Sequence, residues 1–137
     1  MNIQEVLLTK EARFNLLAGL IRLARCDEFI EQSELAFFQQ AAISLELEPT
    51  YLERIDVCWN TKEHIDIKFE TRKEKIFFFI QAIQLCWIDK EYGEKERKEV
   101  RMIAKELDLE MEVILAIEQW VYDGIVWNRQ SDKLLEL

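Results

Sequence analysis

Displaced by 62 residues, the chain falls on itself: residues 14–55 align with residues 76–117 without a gap, and nine of the 42 positions are identical. The identities are Ile21/Ile83, Leu23/Leu85, Asp27/Asp89, Glu34/Glu96, Ala42/Ala104, Leu45/Leu107, Leu47/Leu109, Glu48/Glu110 and Ile55/Ile117. Most are apolar residues at helical spacing, which any two packed helices share. The acid pair Asp27/Asp89 and Glu34/Glu96 is harder to derive from packing. It recurs seven residues apart in "RCDEFIEQSE" and in "WIDKEYGEKE", each time after an apolar segment. A unit of this length present twice closes into a globule rather than an open array. The expected architecture is therefore two copies of a three-helix unit related by a pseudo-twofold axis.

That the units are helical follows from what the chain lacks and what it repeats. Only three glycines and one proline interrupt 137 residues, half of them apolar, which is enough for one domain with a real core. Apolar spacing predicts a compact all-α bundle of about seven helices. A short first helix covers residues 3–8. A second runs over residues 10–26, capped by Thr9, and a third over 32–45, with Phe38, Ala41, Ala42 and Leu45 on one stripe. Pro49 suits the first turn of a fourth, over 49–59. Residues 60–70 form the connector between a first half of about 14–58 and a second of about 71–126. Thr71 and Glu74 have capping-box spacing ahead of a fifth helix to about residue 88. A sixth covers 94–107, with Val100, Ile103, Ala104 and Leu107 inward. A seventh covers 110–125, burying Val113, Ala116, Ile117 and Trp120. The last ten residues are expected to be a loose or partly docked tail.

Charge narrows the function classes. With 18 basic and 27 acidic side chains the net charge is −9, the wrong sign for the electrostatic attraction that nucleic-acid binding needs. Cations, or a basic face on another protein, are better suited. Cys26, Cys58 and Cys86 are odd in number and lack CxxC spacing, so they read as buried thiols of a reducing compartment. Residues 1–10 lack a basic n-region and a small-residue cleavage site, so no signal peptide is expected. The longest apolar stretch, "IFFFIQAIQLCWI", is too short to span a bilayer and fits a central helix buried on most sides. A cytoplasmic location is the expectation.

The repeated pattern resembles the TerB-like family, which comprises the tellurite-resistance TerB proteins and the related domain of the membrane-anchored co-chaperone DjlA. The matches are "LARCDEFIEQSE" followed by "LEL", and "LCWIDKEYGEKE" followed by "LDL". In that family each half runs from an apolar helix through a small residue and Asp-Gly to a Glu that opens the next helix. The resemblance covers residues 14–120. It implies a single all-helical domain and a bacterial stress or metal-resistance role. If the family's acids hold a divalent cation, calcium or magnesium, the carried-over residues are Asp27, Glu34, Asp89 and Glu96. The chain departs from the pattern at Glu28 and Lys90, where the family has glycine.

Two readings of the acids stay open. An Asp at a helix end faces the negative end of the dipole and needs compensation, by capping the next helix or by a cation. A Glu in a first turn is favoured without any ligand. The acids therefore either shape the turns or bind a hard cation, which takes six or more oxygen ligands and would recruit Glu28, Glu31, Glu91 and Glu94. They are not EF-hands, since position 12 of each loop is Phe38 or Val100 rather than Glu.

No catalytic constellation accompanies them. His64, the single histidine, reads as a surface residue of the connector. Ser33, Ser44 and Ser131 stand outside any nucleophile-elbow context, and no phosphate-cradling glycine loop is present. The chain is expected not to be an enzyme. Trp87 and Trp120 are expected in the core, and Trp59 and Trp127 near helix ends, closing the bundle or forming a contact surface. Arg97, Lys98 and Glu99 mark the wet face of the second half, yet their counterparts are Leu35, Ala36 and Phe37. The expected cover is the first helix through Ile3, Val6 and Leu7. The alternative is a protein partner or a homodimer contact.

Overall fold

The computed structural model describes residues 2–26, 32–89 and 92–137, and of residues 32–34 and 89 the backbone only. Among the described residues there are seven helices and no strand: α1 (Ile3–Val6), α2 (Lys10–Arg25), α3 (Gln32–Ser44), α4 (Pro49–Asn60), α5 (Arg72–Asp89), α6 (Glu94–Glu106) and α7 (Met111–Leu135). None is long and apolar enough to cross a membrane.

The repeat is visible at the level of single hydrogen bonds. Thr9 caps α2 by accepting from the Ala12 N–H at 3.1 Å, and Thr71 caps α5 by accepting from the Glu74 N–H at 3.1 Å. In the second half the box is complete, because Glu74 Oε1 accepts from the Thr71 N–H at 3.1 Å. Both middle helices end alike. The Leu47 N–H reaches the Ala42 carbonyl at 3.1 Å, and the Leu109 N–H reaches the Ala104 carbonyl at 2.9 Å. Between them Glu46 and Asp108 adopt left-handed φ angles of 62° and 56°. The "LEL" and "LDL" stretches are thus paired Schellman motifs. Lys10 pairs with Glu48 in one half and Arg72 with Glu110 in the other. Every partner in these pairs is displaced by the same register, so the two halves fold alike.

A left-handed backbone angle suits glycine better than a β-carbon. Glu46→Gly and Asp108→Gly are each expected to raise stability by about 0.5–1 kcal/mol, read as a higher urea midpoint at unchanged slope. A lower midpoint would count against the left-handed turn.

Packing places α2 at the centre. It contacts α3 and α4 of its own half and α5 and α6 of the other, while α4 lies on α2 as α7 lies on α5. Residues 12–23 are buried without interruption, and Phe77, Phe78 and Phe79 of α5 are almost wholly enclosed. The connector forms neither helix nor strand over residues 61–69, yet its apolar side chains are ordered. Ile65, Ile67 and Phe69 alternate inward, and the Lys68 N–H donates to Asn15 Oδ1 at 2.9 Å.

Four expectations are corrected. Trp120 is exposed rather than in the core, because α7 buries Ile114, Ile117 and Val121 against α5 and turns Ala116 and Trp120 outward. The final residues are helical to Leu135, since no glycine or proline after Gly124 stops the helix. The first helix does not cover Ala36 and Phe37: α1 packs on α5, and Phe37 stays 55% exposed. Arg13 explains why, since its guanidinium donates to the carbonyls of Leu7 at 2.9 Å, Leu45 at 3.3 Å and Leu8 at 3.5 Å. This holds the segment after α1 beside the end of α3 rather than along its outer face. Finally, Glu99 turns inward from the expected wet face to meet Arg22.

Candidate functional site

The four carboxylates singled out by the repeat are not all within view. Asp27 lies outside the described residues, as do Glu28, Glu31, Lys90 and Glu91. Glu34 and Glu96 are each the third residue of their helices, α3 and α6, and Asp89 is the last residue of α5. Of the four, only the Glu96 side chain is described. It is 8% exposed, in the first turn of α6. The residue at the α6 N-cap is Gly93, with no side-chain cap. No group of three or more His, Cys, Asp or Glu side chains that could hold a metal occurs among the described residues.

Just before α6 stands Tyr92, which the sequence reading passed over. It is buried, its hydroxyl donates to Glu118 Oε2 at 2.7 Å, and Arg97 lies over its ring at 4.7 Å. Arg101 holds the other Glu118 oxygen at 3.1 Å. Burial, then the bond to Glu118, pushes the phenol far above its usual range, so it stays a donor. Its counterpart in the first half is Ile30. The signal available in sequence was a lone aromatic between Glu91 and Gly93.

A second cluster joins the halves. Arg22, buried in α2, donates from Nε to Glu99 at 2.5 Å and from both terminal nitrogens to Glu106, at 2.9 and 2.5 Å. His64 Nε2 lies 2.7 Å from Glu106 Oε1, and the Ile65 carbonyl accepts from Arg22 at 3.3 Å. His64 is half-exposed in the connector, as expected, but it belongs to this ion network. An arginine inside the apolar run "LIRLA" was the signal. The carboxylates it meets come from α6, which periodicity in α2 could not reveal.

The halves differ along their last helices. In the first, Arg54 spreads over Phe14 at 4.0 Å and Tyr51 at 5.2 Å, and it meets both Glu11 oxygens at 2.8 and 2.7 Å. That hydrogen bond lowers the Glu11 carboxyl below its ordinary value. In the second half Arg54 is replaced by Ala116 and Cys58 by Trp120. With no long side chain lying across it, the equivalent space between α5 and α7 is an apolar groove of about 360 Å³, lined by Ile80, Glu112, Val113, Ala116, Ile117 and Trp120.

Beyond that groove α7 continues through residues 123–135, which have no counterpart in α4. Trp120, Trp127 and Leu134, seven residues apart and so on one face, are 58%, 70% and 67% exposed. All residues from 127 to 137 are exposed. Trp59, by contrast, is buried against Phe38, and Trp87 is half-buried between Tyr92 and Tyr122. Cys26, Cys58 and Cys86 are half-buried thiols. No protein-family model, no curated protein and no solved structure matches the chain.

Proposed function

We propose that this chain is a non-catalytic interaction module, TerB-like in its duplicated three-helix plan, which docks a partner through the outer face of α7. The observation that carries this reading is the row Trp120, Trp127 and Leu134, exposed along one helix face and continuous with the α5–α7 groove. Large apolar side chains exposed in line along one helix face, with polar residues around them, mark an interaction site, and tryptophan is over-represented among residues that dominate binding energy. The mutual pairing of the polar clusters supports the non-catalytic reading. Arg22, Glu99, Glu106 and His64 satisfy one another, as do Tyr92, Glu118 and Arg101, so each network reads as a structural tie.

A benzophenone amino acid placed at Trp120 or Trp127 in the producing cell is expected to give a polypeptide adduct on irradiation. The same group at Glu53, on the exposed side of α4, should give none. No adduct from either tryptophan position would remove the reading.

A further inference from the structure

We propose that the occupant of this face is a second copy of the same chain, paired antiparallel through α7 about Trp127. This rests on the reading of α7 as a docking face and names its partner.

The chain carries both halves of such a contact. Pairing centred on Trp127 sets Trp120 of one copy against Leu134 of the other, because each lies seven residues from the centre. Leu134 and the residues after it then enter the α5–α7 groove beside Ala116 and Trp120, the space that Arg54 overlies in the first half. A twofold arrangement repeats the insertion, so one surface is both donor and receptor and the assembly closes at two copies.

Three further observations favour this occupant. A helix exposed on every side over residues 127–135 gains little from its own propensity, since most helical stability comes from packing an apolar face. Gly124 lies within α7 on the Trp120 side of the helix, and a β-carbon there would meet nothing within 4 Å. Among the described residues no contact calls for a glycine there, whereas close approach of another helix does. Charge is also compatible. The net charge of −9 opposes association at long range, but Asp123 is the charge that borders the row between Trp120 and Leu134. Antiparallel pairing sets it opposite Gln130 and Lys133 of the second copy. Trp120, Trp127 and Leu134 expose on the order of 400 Å² per chain. The groove and polar flanks add to this toward the roughly 800 Å² per partner of a standard interface.

Sedimentation equilibrium of the purified full chain at physiological salt is expected to show reversible dimerisation. Trp127→Glu, a change at an exposed site that leaves the fold intact, should weaken it by about 30-fold or more, the loss typical of a central interface tryptophan. In a mixture of isotope-labelled and unlabelled chains, intermolecular NMR contacts should join the Trp120 indole to Leu134 methyls. A chain that stays monomeric at NMR concentrations overturns the proposal, as does a dimer indifferent to Trp127→Glu, or one whose contacts join Trp120 to Trp120. A monomer whose benzophenone adduct contains a different polypeptide overturns the second copy while leaving the docking face standing. A monomer with no adduct overturns both.

Discussion

Gly19→Val is expected to cost about 3 kcal/mol or more of folding stability, the upper range for overpacking a closed core. A β-carbon at Gly19 would lie 2.3 Å from Phe78 Cε1, 2.5 Å from Phe78 Cζ and 3.2 Å from Ile67 Cδ1. Yielding is difficult for that ring. Phe78 is fully buried, 5.5 Å from the Phe69 ring and 5.0 Å from that of Phe79. Gly19 is therefore a point of close approach between α2, α5 and the connector. Alanine brings the same clash with one methyl, offset by a helix-propensity gain of about 1 kcal/mol over glycine. It should still destabilise, by less than valine. The measurement is the urea midpoint of each variant at unchanged slope. An alanine variant more stable than the parent would show that Phe78 has room to move.

Much of the fold was legible because the signals that carry it are local and doubled. Thr9 and Thr71 each sit before an apolar run, Pro49 opens a helix, and "LEL" and "LDL" end one. Each acts through hydrogen bonds to neighbours a few residues away, so spacing reveals it. The errors arose where two patterns fit equally. Along α7 both the row with Ala116 and Trp120 and the row with Ile114 and Val121 have helical period, and only the position of α5 decides between them. In the structure the halves agree on the choice, since buried Trp59 corresponds to buried Val121 and half-buried Cys58 to exposed Trp120. Length is a different matter. Nothing local distinguishes an exposed helix from a polar tail when neither glycine nor proline interrupts it, which is why residues 126–135 were misread.

The candidate site was less legible because weight fell on positions where the halves agree. Shared residues account for the caps and helix ends that the halves have in common. What distinguishes the second half is where it departs from the first: Ala116 for Arg54, Trp120 for Cys58, and a last helix that runs on. The acid pairs belong to the shared set, and Glu96 is buried in the first turn of α6. The groove and the Trp127 row belong to the other.

Glu99 shows the same logic turned inward. Its counterpart is Phe37, an exposed apolar residue, yet Glu99 reaches Arg22 at the seam between the halves. Arg22→Met keeps the length of the side chain and removes the charge. It is expected to cost about 3 kcal/mol at neutral pH, because it strands two partly buried carboxylates rather than because the ion pair itself is strong. The loss should depend on pH with a definite sign. Arg22, through its hydrogen bonds, holds the Glu106 carboxyl below its ordinary value of 4.5; partial burial opposes this and His64 assists. A depressed carboxyl contributes stability that is present above the unfolded value and lost as pH falls through the folded one. The parent chain should therefore lose stability below about pH 4.5, while Arg22→Met loses less there. The gap between them should be widest near neutrality and narrow on acidification, measured as urea midpoints across the acid range. A gap of constant size would mean that Arg22 serves by its aliphatic packing, and that the seam between α2 and α6 is held without the charges.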